Sequence, residues 1–218
     1  MKASFYLFTA LPYLLFAMGG FCLGGVLFSY HLPKLFKHID ICALSPDHNP
    51  GTFNAFRYAG VPVGVLCLCC DLAKGFFPVF TALRLLDAGS LWFALIPAAP
   101  VLGHAIAPLY HDKSGKAIAA SFGALLGLLP ESFLVLLLIV LYLFFSLVFV
   151  INPHERRTVW TFGLFSAGAL AAAFVTGKWP LTCGALLLSL TVIVKNFCDA
   201  KSAAETAAPQ QSQDTQVS

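Results

Sequence analysis

The chain has 218 residues, of which 59% are hydrophobic and only 11% charged. A soluble domain of this length carries about a quarter charged residues, so most of the chain is built for a bilayer. The net charge of +3 comes from 13 Lys and Arg scattered along the sequence, which argues against a nucleic-acid partner.

In chain order, Met1-Lys2 precedes an apolar run that starts at Phe5. A signal peptide has such a basic start and apolar core. Here the run passes Gly24 and Gly25 and reaches Phe28 without a small-residue cleavage site, so a retained first helix is expected. About 20 apolar residues suffice to span a membrane. Spans are expected at residues 5–29, 61–83, 90–107, 117–129, 133–151, 159–175 and 181–194, the fourth being short. Pro130-Glu131 splits a very long apolar run, and a tight turn is expected there, with a single bent helix as the alternative. The expected fold is therefore all-α, an integral membrane bundle of about seven transmembrane helices over residues 1–199. Residues 200–218, rich in Ala, Gln, Ser and Thr, read as a disordered cytoplasmic tail. No internal repeat is visible, which weakens a transporter of duplicated halves.

The cysteines fit this picture. They are odd in number, seven, and Cys67, Cys69 and Cys70 sit in an apolar run, where Cys acts as a small hydrophobe. Cys67 and Cys70 have C-x-x-C spacing, but no second Cys/His pair completes a zinc set.

Basic residues orient the bundle. Lys34, Lys37, Arg57, Lys113, Lys116, Arg156, Arg157, Lys195 and Lys201 fall on one side, against Lys2, Arg84 and Lys178 on the other. The positive-inside rule then puts the N-terminus outside, the C-terminus inside, and both polar loops, 34–57 and 108–116, in the cytoplasm.

Four constellations carry chemistry. Asn49-Pro50-Gly51 is turn chemistry. Asn54 and Arg57 follow three residues apart, on one face of any helix begun there, and Arg57 offers a donor fork for phosphate or carboxylate. A plain connecting loop with a topogenic Arg is the competing reading. Asp71 and Lys74 are also three apart, at a depth where charge must be paired or face a polar cavity. They fit a structural ion pair and a substrate site equally well. Gly103-His104 leads to Asp112-Lys113-Ser114-Gly115-Lys116 and then a helix, so backbone N–H groups and an ammonium could meet a phosphate. This is not a Walker A loop: its first Gly would fall at Tyr110, and Ala117 follows the Lys. His104 is either a proton carrier or a satisfied structural residue. His154-Glu155-Arg156-Arg157 reads as a solvated, topogenic loop.

These residues, in this order, resemble the bacterial acyl-phosphate:glycerol-3-phosphate acyltransferases, over nearly the whole chain from about Leu23 to Asn196. The family's Asn-x-Gly-Ala-Thr-Asn, then Arg and Gly, corresponds to Asn49, Gly51, Thr52, Phe53 and Asn54, then Arg57 and Gly60. Its Asp-x-x-Lys-Gly-x-x-Pro is present as Asp71, Lys74, Gly75 and Pro78. Its Gly-His and Gly-Gly-Lys-Gly loop correspond to Gly103, His104 and Ser114-Gly115-Lys116-Ala117. The chain also departs from the pattern. Gly24-Gly25-Val26-Leu27 replaces Gly-Ser-Ile-Pro, Cys42 stands for an Arg, Pro46-Asp47-His48 replaces Gly-Ser-Gly, and Ile193 stands where a C-terminal His is expected before Asn196.

The resemblance implies a seven-helix membrane bundle with a cytoplasm-facing site in the bacterial inner membrane. It implies acyl transfer from acyl phosphate to the 1-hydroxyl of glycerol 3-phosphate or a related polyol, beside membrane lipid, giving lysophosphatidic acid and phosphate. No cofactor, no metal and no covalent acyl-enzyme are implied. Candidate catalytic residues are His48, Asn49, Asn54 and His104, with Asp47 and His48 either a replacement acid/base pair or the mark of a different acceptor. Candidate substrate-binding residues are Arg57, Asp71, Lys74, Ser114, Gly115, Lys116 and Asn196. Two other classes stay open: a non-catalytic relative that binds lipid or a partner enzyme, and a transporter or channel.

Overall fold

A computed structural model describes residues 2–110 and 113–214, with side chains from Thr9 to Lys201. Its helices are α1 (Lys2–Gly24), α2 (Phe28–Lys37), α3 (Ile41–Leu44), α4 (Thr52–Ala59), α5 (Val61–Leu85), α6 (Leu95–Ile106), α7 (Ile118–Leu126), α8 (Leu134–Leu143), α9 (His154–Thr176) and α10 (Trp179–Asp214). A 3₁₀ turn, Leu91–Ala94, leads into α6, and a π-helical turn, Phe144–Val148, ends α8. Among the described residues there is no strand, in line with the all-α expectation.

Four stretches are long and apolar enough to cross a membrane: Thr9–Lys37, Val61–Leu85, His154–Thr176 and Trp179–Lys201. Leu91–Ile106 and Leu134–Val148 are shorter apolar helices. With α7 they make seven apolar segments, each at an expected position. α7 has nine residues, which at 1.5 Å each reach about half of a hydrocarbon core. It is buried against α5 and α6 through Ala120, Ser121, Gly123, Ala124 and Leu125. Residues 127–131 form the turn expected at Pro130-Glu131. Helical backbone continues to Asp214. The division of the chain at residue 199 remains a proposal that rests on the polar composition beyond it.

The bundle is held by closely packed helix pairs, two of which, α1–α6 and α5–α7, approach at glycine. α1 packs on α6, α5 on α7, and α9 on α10. A Cβ on Gly24 would overlap the Pro100 backbone, one on Gly103 the Phe21 carbonyl, and one on Gly123 the Leu72 carbonyl. Small residues permit this proximity, and dispersion between backbones then supplies the cohesion that lipid cannot. The main core lies between these pairs and includes Phe93, Ile96, Leu125, Leu138, Phe162, Phe165 and Leu188. A smaller cluster of Ile41, Cys42, Ala55, Ala59, Val63 and Cys67 seats the 38–60 segment on α5.

Hydroxyls in these apolar helices close on the backbone. Ser121, Thr158, Thr161, Ser166 and Ser189 each donate to the carbonyl four residues earlier, at 2.8 to 3.0 Å. That answers the need for every polar group in a bilayer to find a partner inside the protein.

The α5–α7 approach yields a test. Replacing Gly123 by Leu should force the two helices apart, costing about 1–3 kcal/mol, seen as a lowered unfolding temperature in detergent. An unchanged temperature would show that this contact does not set the packing.

Candidate active site

Two polar centres meet at one cavity. The first is built on α5, which carries Asp71 and Lys74, both buried (1% and 2% exposed). Their ion pair is 2.9 Å long. Ser29 of α2 donates to Asp71 Oδ2 at 2.8 Å, and Thr52 of α4 does so at 3.1 Å. Lys74 Nζ donates to the Val26 carbonyl at 2.7 Å. That carbonyl lies in the break between α1 and α2, where it is freed from helical pairing. Nζ also meets His104 Nδ1 on α6 at 2.5 Å. An ammonium has donors only, so Nδ1 accepts and the ring proton sits on Nε2. His104 is therefore a fixed N–H donor. Its ring packs so tightly on Gly115 that a Cβ there would overlap it, and Gly115 N donates to the His104 carbonyl at 3.2 Å.

The second centre is Lys116. It donates to Asp47 Oδ2 at 2.8 Å and to Glu155 Oε1 at 2.7 Å. Burial favours the neutral amine, but the Asp47 and Glu155 carboxylates outweigh it and hold the ammonium above its ordinary range. Burial likewise works against the charge on Asp47, yet Lys116 and Asn54 hold its carboxyl below the usual range. Asn54 ties this centre to the 47–54 loop, donating to Asp47 Oδ1 at 2.8 Å and to the Asn49 carbonyl at 2.9 Å. Asn196 of α10 donates to the Lys116 carbonyl at 3.4 Å and to the Val192 carbonyl at 2.8 Å.

Between the centres lies a cavity of about 430 Å³ lined by both polar segments. The 47–54 loop contributes Asn49, Gly51, Thr52 and Phe53, and the stretch after α6 contributes Lys116 and Ala117. Leu68, Ile118 and Phe122 make apolar walls, while Asp71 and His104 reach it from the first centre. Asn49 Oδ1 is buried without a hydrogen-bond donor. A pocket that is mostly apolar with a few converging polar groups is the usual form of a small-molecule site.

The candidates divide. Asn49, Asp71, His104 and Lys116 line the cavity; Asn54, Lys74, Gly115 and Asn196 support residues that do. His48, Arg57 and Ser114 are not in the lining. His48 is exposed and its Nδ1 meets the Cys42 carbonyl at 2.8 Å. Its φ of 47° turns the chain so that Asp47, not His48, faces Lys116. Arg57 is exposed on the outer face of α4, over the Tyr58 ring. Asp112, at the head of the expected phosphate loop, lies outside the described residues. A further correction concerns His154-Glu155-Arg156-Arg157, read from sequence as a solvated loop. It is the first turn of α9: Glu155 pairs with Lys116, and His154 and Arg157 line the cavity. The signal available in the sequence was its density of charge next to an apolar span, which the positive-inside rule explains equally well.

The fold and site define an all-α integral membrane protein with a mostly apolar cavity on which a few polar side chains converge. The family model described as "Glycerol-3-phosphate acyltransferase" matches residues 14–203, and the chain belongs to that family. A glycerol-3-phosphate acyltransferase of Macrococcus caseolyticus is 30% identical over 183 residues, covering 83% of this chain and 88% of its own length. Glycerol-3-phosphate acyltransferase 2 of Thermotoga maritima is 38% identical over 109 residues, which is 50% of this chain and 55% of that protein. The chain thus spans about half the length of some curated relatives it matches. The solved structure of PlsY (YgiH), an integral membrane glycerol 3-phosphate acyltransferase in its glycerol 3-phosphate form, superposes with a TM-score of 0.72 at 21% identity, over 90% of this chain and 93% of that one. Its lysophosphatidic acid form gives the same TM-score, 0.72.

Two outcomes follow from the geometry. Lys74→Met strands the Asp71 carboxylate in the bundle and should cost about 3–5 kcal/mol, read as loss of folded protein in detergent; adding Asp71→Asn should recover part of it. Ala117 begins α7 at φ 60°, ψ 12°, a left-handed conformation that costs a non-glycine residue about 1–2 kcal/mol. Ala117→Gly relieves that strain but loosens the unfolded chain by about 0.4–1 kcal/mol. The net change should be a slightly raised unfolding temperature, and a lowered one would contradict the strain.

Proposed function

We propose that the protein transfers an acyl group from acyl phosphate to the hydroxyl of glycerol 3-phosphate, releasing lysophosphatidic acid and phosphate. The observation that carries this reading is the direct contact of the two polar segments: Lys116 and Asp47 are ion-paired at 2.8 Å beside one cavity that both segments line. Two anionic reactants placed there would touch both segments at once.

The chemistry asks little of the protein. The acyl carbon attached to phosphate is activated, so catalysis consists of positioning and of stabilising charge as it develops. His104 Nε2–H and the Lys116 ammonium are the donors for that charge. Asn49 Oδ1, an acceptor in need of a donor, orients the attacking hydroxyl. The acceptor oxygen bonds to the acyl carbon, the bond from that carbon to the phosphate oxygen breaks, and the hydroxyl proton leaves with the phosphate. Asp71 is not assigned as base: Ser29 and Thr52 both donate to its Oδ2, and its Oδ1 is ion-paired with the Lys74 ammonium at 2.9 Å. The protein then sits in a bacterial inner membrane, and the distribution of basic residues supports a cavity that faces the cytoplasm.

The test is phosphate release by the detergent-purified chain given palmitoyl phosphate and glycerol 3-phosphate. Lys116→Met should slow it by about a hundredfold or more, while His48→Ala, whose side chain faces away from the cavity, should leave it essentially unchanged. No release with glycerol 3-phosphate or any of several other polyols would refute transfer and leave a binding role.

A further inference from the structure

Part of the cavity wall is made by segments that no motif supplied. Tyr142 and Ser146 come from α8 and its π-helical turn; His154 and Arg157 come from the first turn of α9. Three observations there point to a missing anion. Arg157 is half-buried, and among the described residues no carboxylate lies within ion-pair reach of it, because Glu155 is engaged by Lys116. A guanidinium cannot shed its charge, and an unpaired cation inside a membrane bundle is costly unless something neutralises it. Arg157 Nε is fully buried with no acceptor, while its Nη2 donates to His154 Nδ1 at 2.6 Å. That contact makes His154 Nδ1 an acceptor and leaves the His154 proton on Nε2, a second fixed donor.

The third observation is Ser146. Its Oγ is buried and unpartnered, although serines and threonines elsewhere in these helices bond back to their own backbone. Ser146 lies in the π-helical turn, where the backbone takes a five-residue pairing, as in the 2.9 Å bond from Phe149 N to the Phe144 carbonyl. Such turns often mark functional positions.

We propose that Arg157, His154 and Ser146 form a phosphate-binding subsite that seats the phosphate of the acceptor, a role that rests on the function proposed above. Of the two phosphates in that reaction, the acceptor's survives and needs a permanent grip. The donor's must depart and is better served by groups that strengthen only as it leaves. Arg157 is thus a specificity-determining residue, selecting a phosphorylated acceptor over a neutral polyol.

The experiment compares the full-length wild type with Arg157→Met, Arg157→Lys and Ser146→Ala, all in detergent. Steady-state kinetics in each substrate should show the KM for glycerol 3-phosphate raised about tenfold or more in Arg157→Met, with the KM for palmitoyl phosphate unchanged. Arg157→Lys should recover part of the loss, and Ser146→Ala should show a smaller rise in the same KM. In thermal unfolding, glycerol 3-phosphate and inorganic phosphate should stabilise the wild type, glycerol should not, and Arg157→Met should abolish the shift. A rise confined to the palmitoyl phosphate KM, or no change in either, overturns the assignment. If the wild type does not turn over, the thermal arm still decides: an Arg157-dependent shift upholds the subsite while the transfer reading falls, and a shift retained in Arg157→Met sinks the subsite. Should Arg157→Met fail to fold, Ser146→Ala gives the same two readings.

Discussion

The buried Asp71–Lys74 pair is the interaction on which the arrangement depends. Two opposite charges on adjacent turns of an apolar helix are tolerable only if every remaining donor and acceptor is met. Their partners come from four other segments, Ser29 of α2, Thr52 of α4, the Val26 carbonyl at the α1–α2 break, and His104 of α6, while Asp71 Oδ1 has only the ion pair with Lys74. The pair is thus less a source of net stability than a registration device. It fixes how α2, α4 and α6 sit on α5, and it sets which nitrogen of His104 carries the proton. A proton on Nε2 leaves His104 a donor at that nitrogen, which packs against Gly115.

Lys116 works under a different constraint. It lines the cavity, and two carboxylates already satisfy it. Those carboxylates keep it charged and aim it. Arg157, which lines the same cavity, has no carboxylate partner among the described residues. Segments from both ends of the chain share these tasks, since Asp47 and Asn54 come from the first polar loop and Asn196 from α10.

Membership of the glycerol-3-phosphate acyltransferase family rests on a match over residues 14–203, although several motif positions differ. The structure shows how this chain accommodates some of them. Without a Pro at position 27, the chain still breaks between α1 and α2 and leaves the Val26 carbonyl for Lys74. Ala117 occupies a glycine position and keeps the glycine conformation, with φ at 60°. Cys42 turns inward into a small apolar cluster and contributes nothing polar, and Ile193 packs against the main core.

The sequence alone determined the bundle. Long apolar runs separated by polar loops leave a bilayer-spanning chain few alternatives, because an unpaired backbone in lipid is prohibitive. It also determined Asp71 and Lys74 as a coupled pair, because residues three apart on a helix share a face. His104 and Lys116 were legible as candidates through the order of the motifs. Only the tertiary structure could decide which loop residues face inward. A positive φ at His48 turns Asp47 to Lys116 instead, and the direction of α4 carries Arg57 outward. Nor could spacing reveal that the first turn of α9, more than 35 residues beyond Lys116, closes the same cavity. Local periodicity encodes the faces of single helices, whereas contacts between distant helices depend on packing that no short stretch of sequence contains.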